Sequence, residues 1–548
     1  MAKILILGNN PEKGWITNLG LTTKSVPNIS TGRYTDIVDF IKKLPTDLDC
    51  VVIDSDSFNS ENPELPLDIA LYIRMMLHDC IKTALSKIVI VSDLTIDSFM
   101  DYGVKSMILM TKGVLLTDSE SVGYAIESAV ALTPSEYVNG FLNLIKVEPQ
   151  EKVEGHHSIA NEWGAEALYN VISGGVKSSL IPIKAESSLY FKYSSIVSLD
   201  AEDVTAIIEG RTPKFLTPKI CINDSIRYLL IDDETDKGWD KVLRSLLPNA
   251  NQEVWKQPIK TYQELSENIR NQISDGYYDI IFLDLRMSGI VEDSIVNPEH
   301  FSGMKILRSI KEVNMGIQVV MLTATNKAWN VKALLDAGAN GYYMKESPEY
   351  HFPLKYTEQN ALAFVKTIKD CINNSYLQDI ISEASSLLKK LPADNELTFN
   401  IKNQLSIALS LILKAKTPDE YAFAYISLEQ IFEITAAYLI RQVSSQGSSK
   451  YYFTEDSREQ CRLYENGKDI GFIYAFNGNN LPPVWMRVSS IYYQLYGGAN
   501  ITFDSKVKNL IRIRNKYIHP KDGSKPIITS ENFKELFRTM VEYLSVFK

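Results

Sequence analysis

Five residues in the middle of this chain each stand at or just past the end of an apolar run. Asp232 and Asp233 close "YLLIDD", Asp284 closes "IIFLD", Thr323 closes "VVMLT", and Lys345 closes "GYYMK". Short apolar runs separated by helical stretches predict strands of an open parallel sheet, where ligands collect at the carboxyl ends. Three carboxylates gathered there repel one another unless a hard, oxygen-seeking cation such as Mg²⁺ joins them. A hydroxyl and an ammonium beside them suit a phosphoryl group, the lysine as a point charge and the threonine as a hydrogen-bond donor. The simpler alternative is that strand-end aspartates only cap the helices that follow.

A second constellation lies near residue 515, in "VKNLIRIRNKYIHP". Helical spacing puts Val507, Leu510, Ile511, Tyr517 and Ile518 on one apolar stripe, with Arg514 in its middle. A buried arginine needs a partner, an anion or an interface. Lys508, Arg512, Asn515 and His519 fall on a second, polar stripe. Pro520 disfavours helical geometry at His519, so the helix is expected to end there. The basic residues Lys506, Lys508, Arg512, Lys516 and Lys525 crowd around the motif. An Arg, an Asn and a terminal His beside that patch suit a phosphodiester, with Lys508, Arg512 and Lys516 as candidate RNA contacts. Read without chemistry, the same residues are a salt-bridged Arg and a solvated helix face.

These residues need elements to position them, and the chain is long enough to supply several. Its 548 residues fit three or four domains, and 45% hydrophobic with 23% charged residues is ordinary globular composition. Net charge is −10, yet from residue 377 onward 21 Lys and Arg face 18 Asp and Glu. The acid excess argues against a protein that coats nucleic acid along its length. No run approaches the ~18 apolar residues of a membrane span, and the N-terminus enters a strand pattern without a secretory segment. Five scattered cysteines read as reduced thiols, so a cytoplasmic protein is expected.

The pattern along the chain predicts α/β for residues 1–145, a connector of one helix and extended segments over 146–224, α/β again over 225–375, and an all-helical region over 377–548. The second α/β segment, with its acidic pair, lone Asp284, Thr323 before Ala324, and Lys345, resembles the receiver domain of two-component response regulators. That resemblance implies phosphorylation of Asp284, Mg²⁺ held by Asp232, Asp233 and Asp284, phosphoryl contacts from Thr323 and Lys345, and a switch role for Tyr342. A sensor histidine kinase or phosphotransfer protein would be the donor. The family's usual Lys-Pro is here Lys345–Glu346, and "SGIVEDSIVNPEHF" lengthens the loop after Asp284, where it would cover the site or slow access.

The first segment looks like a degenerate copy, so the expected fold is two flavodoxin-like, doubly wound parallel-sheet domains and a C-terminal helical bundle. Asp54 falls where Asp284 does and Ser92 where Thr323 does, but Asn9 and Asn10 replace the acidic pair, and Lys112 stands further from Gly103 than Lys345 does from Gly338. In the connector, His157 and Asn161 lie one helical turn apart. That spacing is faintly similar to the phosphoacceptor helix of histidine kinases, but no kinase ATP-binding region follows. The helix is expected to pack between domains through Ile159, Trp163 and Leu168.

"RNKYIH" resembles the Arg-x4-His signature of HEPN domains. The resemblance implies a helical bundle that dimerises with two motifs facing one another, and a metal-independent ribonuclease needing no cofactor. Arg514 would hold the phosphate, His519 would serve in acid–base transfer, and Asn515 would orient one of them. The whole chain then reads as a response regulator whose Asp284 controls an RNA-cleaving output. The alternative is a non-catalytic adaptor whose helical region mediates dimerisation or binds a partner or nucleotide. A transcription factor is disfavoured, because no compact helix-turn-helix pattern is present.

Overall fold

The computed structural model describes residues 3–10, 12–20, 22–24, 34–57, 63–147, 156–174, 189–211, 218–255, 262–287, 300–324, 328–347, 352–392, 395–445, 448–453, 461–465, 468–472, 482–496, 501–520 and 523–547. Two compact units partition the chain. One comprises residues 1–271, 275–307 and 319–372, and the other 272–274, 308–318 and 373–548.

The first unit contains two five-stranded sheets. Strands β1 (Ile4–Leu7), β2 (Thr22–Lys24), β3 (Cys50–Asp54), β4 (Lys87–Val91) and β5 (Val114–Thr117) lie in the order β2-β1-β3-β4-β5, with parallel pairing. Strands β6 (Arg227–Ile231), β7 (Asn251–Val254), β8 (Ile280–Asp284), β9 (Gln318–Thr323) and β10 (Gly341–Met344) lie in the order β10-β9-β8-β6-β7. Read from the opposite edge, this is the order of the first sheet. Continuous apolar runs such as "VVI" and "IIFL" suit such sheets because helices cover both faces. β3, β8 and β9 are accordingly buried along their whole length.

The segment between the sheets holds more helix than expected. A connector helix spans His156–Ile172, and two short helices, Leu189–Ser194 and Ala201–Ile208, follow. The last is announced by a capping box, in which the Asp200 carboxylate accepts from the Asp203 N–H and Asp203 returns the bond. The aromatic and serine content of "SLYFKYSS" hides the first of the two from a periodicity reading. The connector helix buries Ala165, Leu168, Val171 and Ile172 in one core with Tyr228, Leu230, Trp239 and Phe364 of the second α/β domain. Trp163 packs edge-on against Phe191 at 5.0 Å, while the Ile159 side chain lies outside the described residues.

The second unit is mainly helical. Helices span Leu377–Lys390, Glu396–Ile412, Pro418–Leu439, Val484–Tyr496, Ile501–Ile518 and Ser530–Leu544. Thr417, Pro418 and Glu420 start the Pro418–Leu439 helix with a capping box and proline in the first turn. The expectation of an all-helical region is corrected by two antiparallel hairpins, β11 (Ile440–Ser445) with β12 (Ser448–Phe453), and β13 (Arg462–Glu465) with β14 (Lys468–Phe472). "VSSQGSSK" reads as a loop by composition, but Ser444 pairs with Ser449 and Ser445 with Ser448 in the antiparallel register of β11 and β12.

Candidate functional site

The second sheet brings four of the five strand-end residues to one place. β6 and β8 are neighbours in parallel register, with Ile231 opposite Leu283, so Asp232 and Asp284 emerge side by side. Met344 pairs with Thr323 across β10 and β9, and the Lys345 N–H donates to the Thr323 carbonyl at 2.7 Å. The Lys345 ammonium donates to Asp284 Oδ1 at 2.7 Å and to Asp232 Oδ2 at 3.0 Å. Lys345 and Asp232 are each 2% exposed and Thr323 is 1% exposed. The Trp239 ring lies under the ammonium, 5.2 Å from ring centre to Nζ. The second oxygens of the two aspartates accept backbone N–H bonds, Asp284 from Arg286 at 3.1 Å and Asp232 from Glu234 at 2.8 Å. Asp233 is half-buried, and Tyr342 is exposed on the edge strand β10.

Burial, followed by the charges of Asp232 and Asp233, pushes the Asp284 carboxyl up to about 7, against the pull of Lys345. Burial opposes the Lys345 charge, but Asp232 and Asp284 outweigh it and hold the ammonium above its ordinary range. The charges of Asp232 and Asp233 oppose that of Asp284, and a hard divalent cation taking oxygens from them would relieve that repulsion. Among the described residues, no three acidic, His or Cys side chains already converge as a ready-made metal cage. Lys345 instead stands between Asp232 and Asp284. Residues 288–299 of the long loop after Asp284 lie outside the described residues.

One member of the site was not visible in the strand-end pattern. Asn161, on the connector helix, accepts from Lys345 through Oδ1 and donates through Nδ2 to Glu234. Beside it Glu162 accepts from Lys237 at 3.1 Å. A Cβ on Gly164 would lie 3.1 Å from Lys345 Cα and from Glu346 N, so the helix backbone lies directly against this chain turn. Glu346, in place of the expected proline, is buried and accepts from Thr357 at 2.8 Å and Asn360 at 3.3 Å. The His157–Asn161 spacing was the only signal in the sequence, and the His157 side chain lies outside the described residues.

The corresponding place in the first sheet is built differently. Asp54 is fully buried at the end of β3, and Ser55 donates to Ser92 at 3.2 Å. The cation there is Lys13, 2.8 Å from Asp54 and 3.6 Å from Asp56. Lys112 is engaged with Glu136 on the surface instead. Asn9 and Asn10 are exposed.

In the helical unit, Arg514 is half-buried and has its partners on the Pro418–Leu439 helix. Nη2 donates to Glu433 at 2.9 Å, and Nε lies 3.5 Å from Glu429 Oε2. Nη1 donates to Asn515 Oδ1 at 3.0 Å. Glu429 is 1% exposed, and burial pushes its carboxyl up to about 7, with Glu433 adding to the effect and Arg514 opposing it. Val507, Leu510, Ile511 and Tyr517 are buried as the stripe predicts, but Ile518 is exposed because the helix ends there. His519, Asn515, Lys508, Arg512 and Lys516 are all exposed, and Lys508 stacks over Trp485 at 4.6 Å. The seat of Arg514 in an apolar stripe is thus explained by Glu429 and Glu433 of the same chain, two acidic residues the sequence reading did not single out, and requires no second copy. Among the described residues no helix is long and apolar enough to cross a membrane.

Comparison with known proteins bears on the second sheet. A family model for the response regulator receiver domain matches residues 229–352. The nitrate/nitrite response regulator protein NarP of Escherichia coli (strain K12) is 35% identical over 69 residues, 13% of this chain and 27% of that protein. The chain therefore spans about a quarter of the length of this curated relative. A two-component response regulator structure from Clostridium difficile aligns at 17% identity, covering 26% of this chain and 97% of that one, with a TM-score of 0.18. The receiver domain of the Francisella response regulator 1452 aligns at 16% identity, covering 26% and 98%, also with a TM-score of 0.18.

Proposed function

We propose that this chain, whose residues 229–352 are a response regulator receiver domain, works in a two-component phosphorelay by accepting a phosphoryl group on Asp284. The observation that carries the reading is the meeting of Asp232, Asp284 and Lys345 in one buried cluster at the carboxyl ends of β6, β8 and β10. An Asp284 carboxylate oxygen attacks the phosphorus of a phosphohistidine or of acetyl phosphate. An O–P bond forms as the donor's P–N or P–O bond breaks, and the leaving group takes the electron pair. Lys345 is placed to neutralise the charge that the phosphoryl oxygens bring. Thr323, one strand over, is placed to donate a hydrogen bond to them. Asp232, Asp233 and Asp284 would hold Mg²⁺, which supplies charge neutralisation for the transferring group when bound. The donor would be a sensor histidine kinase or phosphotransfer protein. Intact mass after incubation with acetyl phosphate and Mg²⁺ tests this. One added phosphoryl group on the wild type and none on Asp284→Asn is expected, and equal labelling of both rules the assignment out.

The helical unit would serve as the output. The commitment of Arg514 to Glu429 and Glu433 favours the reading in which this unit binds a partner over the one in which Arg514 holds an RNA phosphate. The exposed His519 and Asn515 keep the ribonuclease reading open to a direct test. Labelled RNA incubated with the protein, with and without beryllofluoride, would be cut without added metal and leave a 2′,3′-cyclic phosphate if that reading holds. His519→Ala would then lose about 10²–10⁴-fold in rate. No cleavage in either state leaves the binding module as the output.

The first α/β domain fits a degenerate receiver whose Asp54 is neutralised by Lys13 and serves packing or partner contact.

A further inference from the structure

We propose that Asn161 is a positioning residue of the phosphoacceptor site, and that the amino-terminal half of the connector helix is a latch that phosphorylation of Asp284 releases. This rests on the reading of Asp284 as the phosphoacceptor.

Lys345 has three N–H bonds to give. They go to Asp284 Oδ1, Asp232 Oδ2 and Asn161 Oδ1. A phosphoryl group on Asp284 brings anionic oxygens to this spot, and Lys345 can meet one only by leaving a present partner. Bonds from an ammonium to anionic oxygens are roughly twice as strong as neutral ones. Forming the O–P bond also takes the charge from the Asp284 carboxyl, so Lys345 keeps anionic Asp232, turns its other two N–H bonds to the terminal phosphoryl oxygens, and gives up both neutral partners, Asp284 Oδ1 and the amide of Asn161. Losing Lys345 leaves Asn161 with its bond to Glu234 among the described residues.

The packing says which part of the helix moves. Ala165, Leu168, Val171 and Ile172 are anchored in the receiver core, so the carboxyl-terminal half stays. The amino-terminal half is held by polar contacts, Asn161 to Lys345 and Glu234 and Glu162 to Lys237, and by the close approach of Gly164 to Lys345 and Glu346. Three of those contacts are with residues at or next to the phosphoacceptor cluster. Trp163 of this half packs against Phe191, and the adjoining Lys192 pairs with Asp79 of the first α/β domain at 3.3 Å. Two ion pairs, Asp284–Lys345 and Lys192–Asp79, joined by the Lys345–Asn161 hydrogen bond and the Trp163–Phe191 packing, thus connect Asp284 to the first domain and give that domain a means of responding to phosphorylation in the second.

The test uses the full-length protein with Mg²⁺ and beryllofluoride, a mimic of the phosphoryl group. Hydrogen exchange of wild type should show peptides covering 156–164 exchanging at least ten-fold faster on beryllofluoride binding, while peptides covering 165–172 stay protected. Asn161→Ala should bind beryllofluoride about ten-fold more tightly, because the latch no longer has to be broken. Gly164→Ala keeps the amide but forces the helix away from Lys345, and should tighten binding in the same direction. A residue with only a structural role would lower the melting temperature and leave the affinity alone. Unchanged protection over 156–164 at saturation, or unchanged or weaker binding in both variants, overturns the latch while Asp284 remains the acceptor. Failure of the wild type to bind beryllofluoride or to take label overturns the phosphoacceptor reading and the latch with it.

Discussion

Asp54 and Asp284 stand at the ends of the third strands of two sheets with the same strand order, and both are buried. Their neighbours differ in sign and origin. Around Asp284 the loop after the first strand of the sheet brings two further carboxylates, and the cation arrives from the fifth strand. Around Asp54 the loop after the first strand brings the cation itself, Lys13, and no acidic pair. One site is left with excess negative charge that a divalent ion can relieve. At the other, a lysine from the first loop pairs directly with the strand-end aspartate. The same scaffold therefore holds its strand-end aspartate either beside further carboxylates or in an ion pair with a lysine of the first loop, according to what that loop carries.

The comparison breaks most plainly on chemistry. Asp54→Asn should take label from acetyl phosphate like wild type, whereas Asp284→Asn should take none, and chelation of Mg²⁺ by EDTA should abolish labelling of wild type. Label on Asp54, read by peptide mass mapping, would mean that Lys13 does not close the first site.

Stability separates the two sites less sharply. Lys345→Met strands Asp232 and Asp284 in a buried place without their cation, a change that costs about 3–5 kcal/mol. Added Mg²⁺ should restore part of that loss in urea unfolding. Lys13→Met leaves Asp54 without its partner, but Lys13 itself reaches solvent, so the cost should be about 1–2 kcal/mol and insensitive to Mg²⁺. Equal costs, or an equal Mg²⁺ response, would erase the distinction.

The smallest effect extends the same logic to Glu429, a buried carboxylate whose cation is only loosely placed. Its folded pKa of about 7 lies above the ordinary 4.5. Between those values the folded chain holds a proton that the unfolded chain has released, so stability falls as pH rises from about 4.5 to 7 and then levels. Glu429→Gln should flatten that slope and be the more stable form at pH 8, by on the order of 1–3 kcal/mol. A wild-type profile without the slope would mean that Arg514 keeps Glu429 charged throughout.

Much of the Asp284 site was legible because strand ends are local features. An apolar run sets the strand, and the residue after it lies at the carboxyl edge whatever the rest of the chain does. Asp232, Asp284, Thr323 and Lys345 come together in this way, and helical spacing puts Val507, Leu510 and Ile511 in the core. It also misled where local pattern was thin. The hairpins after Leu439 are short and serine-rich, and the helix Leu189–Ser194 has too few turns to show a period.

Which charges meet was decided only by tertiary structure. Asn161 reaches Lys345 across 184 residues, and Arg514 reaches Glu433 across 81. Lys13, not Lys112, answers Asp54. An ion pair depends on the path of loops and on which helix face packs inward, and neither leaves a periodic trace in the sequence. Local propensity and periodicity set the elements and their buried faces, whereas the partner of a buried charge follows from burial itself, because a charge taken out of water is stable only where the fold brings it an opposite one.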